Sequence, residues 1–163
     1  MSISRRNYLS LLCFSVGGLI LHAFPGRAAQ LDKSLIDKVV MTIVTRTGHH
    51  EIEVEIVSNP ATSDSILKDR RMIQPDQAVM YSFIPVRQIQ VSTQGVPYAT
   101  DLLFVSSYGK IVEVHANVMP NLPDPVTSMI PNRAAIQMIG GTIKRFGLVA
   151  GDYMLHSMFG RTV

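Results

Sequence analysis

Asp101-Leu102-Leu103-Phe104-Val105-Ser106, then Ser107-Tyr108-Gly109, then Lys110-Ile111-Val112-Glu113-Val114-His115 is the stretch that decides the fold. Two arms rich in β-branched and aromatic residues flank a turn that contains glycine, which is the pattern of a β-hairpin. Leu102, Phe104, Ile111 and Val114 fall on apolar positions and are expected in the core. Leu103 and Val112 face the other side of a half-buried sheet. Asp101 and His115 lie near the open end of the two arms, within reach of each other. An Asp that orients a His is a general-base arrangement, although a salt bridge at a sheet rim is the commoner use of such a pair.

Upstream, Val39-Val40-Met41-Thr42-Ile43-Val44-Thr45 and Glu51-Ile52-Glu53-Val54-Glu55-Ile56-Val57 alternate apolar and polar residues around Arg46-Thr47-Gly48-His49-His50. This predicts a second hairpin, with Ile52, Val54 and Ile56 inward. Its three glutamates read as a solvated face that discourages edge-to-edge pairing. Ser58-Asn59-Pro60 offers a cap and a proline suited to a first helical position, so a helix is expected to about Lys68. Val79-Met80-Tyr81-Ser82-Phe83-Ile84 is strand-like and ends at Pro85, and a weaker strand covers 88–92.

Downstream, four prolines (Pro120, Pro123, Pro125, Pro131) make 119–131 a long irregular loop. A strand over 134–139, a short helix over 142–146 stopped by Gly147, and a last strand after Gly151-Asp152 complete the chain. Strands dominate, and the fold class is mainly β.

The first thirty residues say where the protein works. Ser4-Arg5-Arg6-Asn7-Tyr8-Leu9-Ser10 followed by an apolar run reads as a twin-arginine export signal, with Ser10 standing where a lysine is usual. The run over 9–24 is broken by Gly17-Gly18 and falls short of the ~20 residues that cross a bilayer core. Small residues at Gly26 and Ala28 set cleavage after Ala28 or one residue later. The organisation expected is therefore an export signal at 1–28, a polar leader at 29–38, and one β-rich domain at 39–163. The expected location is the periplasm, with no permanent membrane span after cleavage.

Removing the signal changes the charge balance. The whole chain is +3, but Arg5, Arg6 and Arg27 belong to the signal, which leaves twelve basic against twelve acidic residues. Arg70-Arg71 and Lys144-Arg145 are isolated pairs. A nucleic-acid partner is disfavoured, since phosphate binding draws its affinity from clustered positive charge. The single cysteine, Cys13, also lies in the signal, so the remainder has no thiol or disulfide chemistry.

Metal and nucleophile motifs are equally sparse. His49, His50, His115 and His156 are the histidines after the signal, and none stands at H-x-x-x-H or H-x-H spacing. There is no G-x-S-x-G elbow. Gly140-Gly141-Thr142 before the short helix is read as a helix start with Thr142 near the cap. No metal and no cofactor are expected.

Several segments together resemble a known family, the bacterial and archaeal domain-of-unknown-function family number 192, from about His49 to Tyr153. Arg70-Arg71-Met72-Ile73-Gln74-Pro75-Asp76 is similar to its R-x-x-L-x-x-D segment, and Val79-Met80-Tyr81-Ser82-Phe83 to its M-L-F-x-F strand. Asp101-Leu102-Leu103-Phe104 is similar to D-I-L-F, Gly109-Lys110-Ile111-Val112-Glu113-Val114-His115 to G-x-I-V-x-x-H, and 147–152 to the closing G-I-K-P-G-D. Ile66-Leu67-Lys68 replaces the family's G-L-M, 91–96 replaces its F-W-M-K-N-T run, and Gln137 stands where it has a glutamate. The resemblance implies a divergent member with a small closed or half-open antiparallel β-barrel and one or two short helices, an architecture the strand count allows. It implies no reaction.

The function expected is an exported binding or interaction module for an envelope protein or small ligand. Its candidate contact residues are Asp101, His115, Arg70, Asp76 and Gln137, beside the loop over 117–131. The alternative is a hydrolase-like or transferase-like enzyme built on Asp101 and His115.

Overall fold

The structure is a computed structural model and describes residues 36–60 and 65–160. The export signal, its cleavage site and most of the polar leader lie outside the described residues.

Among the described residues nine strands and one α-helix follow each other along the chain. They are β1 (Ile36–Thr45), β2 (Gly48–Ser58), β3 (Gln77–Arg87), β4 (Gln90–Val91), β5 (Thr100–Val105), β6 (Ile111–Val118), β7 (Val126–Thr127), β8 (Asn132–Ile139), α1 (Thr142–Phe146) and β9 (Tyr153–Leu155). Seven of them form one sheet in the order β6-β5-β8-β3-β2-β1-β9, and β4 pairs with β7 in a second, two-stranded sheet. The large sheet curls into a half-open barrel. Its two edges meet at one end, where Lys110 bridges Tyr153 and Ile111 exchanges backbone bonds with Asp152 and Gly151.

Both predicted hairpins form. β1 and β2 pair in continuous register from Ile36↔Val57 to Thr45↔Gly48, which places the start of β1 three residues before the alternation at Val39. β5 and β6 pair around the turn at 106–109. Gly109 is required in that turn. Its φ is +76°, and a Cβ there would stand 2.4 Å from the Met154 carbonyl oxygen. A side chain at this position would push β9 away from the hairpin.

One pairing departs from the antiparallel expectation, because β2 and β3 run parallel. Parallel neighbours need a long crossover, and 59–76 supplies it. The expected helix start at Ser58 or Asn59 is replaced accordingly. Ser58 ends β2, and Asn59 adopts φ +46° and accepts a hydrogen bond from Ile84 N on its side-chain oxygen. Within the described part of the crossover the helical residues are a 3-10 turn at Ile66–Asp69, capped by the Ser65 hydroxyl. β3 also runs on past Pro85 to Arg87, with a register irregularity against β8 between Ser82 and Arg87.

The sheet is covered on both faces. Inside the curl, Met41, Ile43, Ile52, Val54, Met80, Leu103, Val105, Ile111, Ile136 and Met138 pack with Ile143, Leu148, Met154 and Phe159. On the outer face, Val57, Val79, Tyr81, Phe83, Leu102 and Phe104 pack under Leu67 and Ile73 of the crossover and under Ile89, Val91 and Val96. Every residue of β5 is therefore buried, although its alternation predicted one half-exposed side. Of the expected core positions Ile56 and Val114 are partly buried rather than buried.

The loop over 119–131 is less irregular than its prolines suggest. Val126 and Thr127 form β7 against β4, and Ser128 N donates to the Ile89 carbonyl. Asn121 N donates to the Thr93 carbonyl, and the Asn121 side chain accepts from Gly95 N. The prolines punctuate a strap stitched along residues 88–95.

Candidate functional site

Asp101 is fully buried, and both its carboxylate oxygens are occupied by backbone amides. Oδ1 accepts from Asn117 N at 2.7 Å, and Oδ2 accepts from Ile143 N at 2.6 Å. The first bond holds the irregularity in the β5–β6 ladder, where Asn117 takes φ +50°. The second satisfies an otherwise unpaired donor at the start of α1, whose capping residue, Gly141, has no side chain to do so. Thr142, expected near the cap, is the first helical residue and donates its hydroxyl to the Ile139 carbonyl.

His115 faces the other way. It stands opposite Leu102 on the outer face, its ring set edge-on to Phe104 at 5.6 Å between centroids. Asp101, adjacent to Leu102, points inward toward Ile143. Successive residues of a strand face opposite sides, and His115 pairs with Leu102, so Asp101 and His115 do not form the expected pair. The partner of His115 is Glu113, at 3.4 Å from Nε2 to Oε2. The other oxygen of Glu113 accepts from Met129 N at 2.8 Å. Glu113 thus joins the hairpin to the proline-rich strap beside a half-buried histidine.

Gln137 lies in a buried polar network on the outer face. Its Oε1 accepts from the Ser65 hydroxyl at 2.6 Å and from the Tyr81 hydroxyl at 3.3 Å, and its Nε2 donates to Thr100 Oγ1 at 3.1 Å. Ile66 N donates to the Tyr81 oxygen. Burial pushes the Tyr81 phenol up to about 12, against the smaller opposing effect of its hydrogen bonds. An amide suits this position. It accepts two hydroxyls and donates to a third without placing a charge in the core.

Arg70, in the segment before β3, grips Glu55 with two parallel hydrogen bonds of 3.0 and 2.5 Å. Lys38 approaches the same carboxylate at 3.5 Å and Glu53 at 3.1 Å. The Arg70 bonds hold the Glu55 carboxyl below its ordinary range. Glu55 is therefore an anchor for the crossover rather than the freely solvated residue its alternation suggested. Asp76 is exposed, and its carbonyl accepts from Glu53 N at the start of the β2–β3 pairing.

The structure therefore distributes the five sequence candidates over four places. Asp101 clamps α1 from the inner face, His115 lies under the strap with Glu113, Gln137 stands in the network at Ser65 and Tyr81, and Arg70 and Asp76 flank the crossover. Among the described residues no three His, Cys, Asp or Glu side chains are grouped so as to hold a metal ion. A depression of about 260 Å³ at the barrel seam is lined by Lys110, Ile111, Val112, Ala150 and Gly151, and Lys110 is its one ionisable residue.

Two groups escaped sequence reasoning. Ser65, Tyr81 and Thr100 gave no signal because they are far apart in the chain and meet through the parallel crossover. Ile84, Val86, Met129 and Ile130 carry no signal in the sequence, yet all four are exposed, Met129 at 81% and Ile84 at 68%. They account for half of the large hydrophobics exposed among the described residues. The stitching of 87–89 to 128–132 carries Met129 and Ile130 alongside the end of β3.

The family described as DUF192, an uncharacterized ACR, matches residues 42–156. A Sinorhizobium meliloti structure described as a candidate transcription regulator is 25% identical, with a TM-score of 0.70, covering 76% of this chain and 96% of its own. A Novosphingobium aromaticivorans protein of unknown function is 18% identical, with a TM-score of 0.64, covering 73% of this chain and 85% of its own, and shares the fold. No curated protein matches the sequence.

Proposed function

Since the chain belongs to the DUF192 family, whose description names no activity, we propose from its own chemistry that it is an exported periplasmic interaction module, with its contact surface where the proline-rich strap meets β6 and the end of β3. The observation that carries this reading is the Glu113 bridge. One carboxylate fixes both the strap, through Met129 N, and His115 on the hairpin. A loop that serves as mere covering has no need to hold Met129 and Ile130 out in solvent. Ordered loops carried on a rigid sheet are favoured places for recognition.

Export through the twin-arginine pathway rests on Arg5, Arg6 and the short apolar run, with cleavage near Ala28. It accords with a module that folds before it crosses. The enzyme alternative loses its footing because both oxygens of Asp101 are held by amides and the carboxylate faces away from His115. The regulator description of the Sinorhizobium structure is not carried over: twelve basic and twelve acidic residues remain after the signal, without the basic stripe that nucleic acid requires.

Capture from envelope extracts tests the proposal, comparing the wild-type protein with Met129→Asp. Partners held by the wild type and lost in the variant are the expected result. Identical partner profiles, with both proteins folded, would remove this surface from the account.

A further inference from the structure

Glu113 and His115 stand two residues apart in a regular part of β6, so both side chains leave the same face of the strand. Their cross-strand partners, Phe104 and Leu102, belong to the outer-face core, which places the pair on that face. His115 Nε2 is 3.4 Å from Glu113 Oε2. That is longer than an ordinary N–H···O hydrogen bond, and it matches the spacing of two ligands on one ion. Donors about 2.05 Å from a shared metal and 3.4 Å apart subtend roughly 112° at it, close to the tetrahedral angle.

The rest of the carboxylate is arranged to support such a role. Oε1 accepts from Met129 N at 2.8 Å, which orients the group and leaves Oε2 toward the imidazole. Ligating carboxylates are commonly steadied by a hydrogen bond of this kind. The same bond anchors the backbone of Met129 beside the pair. Its side chain is unbranched, turns about three bonds and is largely free of packing, so the thioether can rotate onto the pair.

We propose that His115 Nε2, Glu113 Oε2 and Met129 Sδ bind one copper ion. Imidazole and carboxylate by themselves suit several divalent metals, zinc included. A thioether adds affinity for a soft ion, and cuprous copper is the soft ion that imidazole also accepts. Histidine spacing gives no sign of the site, because only one of its donors is an imidazole. The proposal rests on the interaction reading in taking the strap junction as the functional surface, and it names the ligand bound there.

The test titrates cuprous ion, without oxygen, into the full chain against the chromophoric chelator bicinchoninate. Cys13→Ser is the background, so that the thiol does not compete. One ion per chain should bind. His115→Ala, Glu113→Gln and Met129→Leu should each weaken binding more than about tenfold, since even the hydrogen-bond partners of metal ligands contribute about 10–100-fold. Gln at 113 keeps an acceptor for Met129 N and Leu at 129 keeps an apolar side chain, so both variants retain the strap, as circular dichroism should verify. Met72→Leu, at an exposed methionine of the crossover, should bind as the background does. Zinc should bind more weakly than copper and be indifferent to Met129→Leu.

Copper affinity equal to the background in either His115→Ala or Met129→Leu would overturn the proposal. So would zinc binding as tight as copper. Envelope capture that depends on Met129, together with no copper binding, would remove the metal and leave the interaction reading standing. Copper bound as described, with capture unchanged in Met129→Asp, would remove the interaction reading and leave the metal site.

Discussion

Replacing Asp101 with alanine separates a structural carboxylate from a catalytic one. The side chain is fully buried and accepts two amide hydrogen bonds, at 2.7 Å from Asn117 and 2.6 Å from Ile143. Hydrogen bonds to a charged group contribute about 1.5–3 kcal/mol each, and a buried amide left unpaired bears its full desolvation cost. Two such bonds give a loss of about 3–6 kcal/mol, a large share of the 5–15 kcal/mol typical of a domain. Asp101→Asn keeps one acceptor but turns an NH2 group toward the other amide, so it should lose about half as much. Urea unfolding followed by circular dichroism measures both, with an unchanged slope expected because the buried surface is the same. His115→Ala, on the opposite face, should not reproduce the effect. A loss below about 0.5 kcal/mol for Asp101→Ala, the range of surface changes, would refute the clamp and reopen an active role for the carboxylate.

Tyr81 should resist ionisation. Its phenol is pushed up to about 12, while an unfolded tyrosine titrates near pH 10. The neutral form is favoured in the fold, so its contribution to stability is complete below about pH 10 and is lost as pH rises toward 12. Burial raises the Tyr98 phenol as well, so absorbance at 295 nm should show a late-titrating amplitude that falls by one phenol in Tyr81→Phe, and an unchanged late amplitude would contradict the assignment. Glu55 gives the opposite sign. Its carboxyl is held low by Arg70, so the stability it adds is present above its ordinary range and fades as pH falls through the lowered value. Arg70→Ala should remove that acid-side dependence at a cost of ~1 kcal/mol, since the pair is partly exposed. Phe104→Ala should cost about 3–5 kcal/mol, because the ring is buried in the outer-face core beneath His115. A folded-before-export reporter fused behind residues 1–30 should lose export when Arg5→Lys and Arg6→Lys are combined, and unchanged export would dismiss the twin-arginine assignment.

Local chemistry made the two hairpins readable. Alternation in 51–57 and 101–115, with glycine at the turns, is a short-range signal, and both pairings appear in the structure. The parallel β2–β3 pair was not readable, because a crossover and a hairpin present the same flanking strands. What distinguishes them is whether the outer face of β3 needs a cover, and Leu67 and Ile73 provide it. The candidate site failed for a related reason. Proximity of Asp101 and His115 was inferred from arm length, but facing depends on parity and on the irregularity between Thr100 and Leu102. Gln137 was noticed as a departure from a family pattern. Its meaning rests on Ser65 and Tyr81, which come to it through the fold rather than the sequence.

The central claim, an exported module that makes contact through the strap corner, is tested most directly in intact cells. A photo-crosslinking residue is placed at Met129, and in a second variant at Tyr108, and the envelope fraction is compared after irradiation. Adducts with an envelope component at 129 and none at 108 are the predicted result. Adducts at neither position in the envelope, or equally at both, would contradict it.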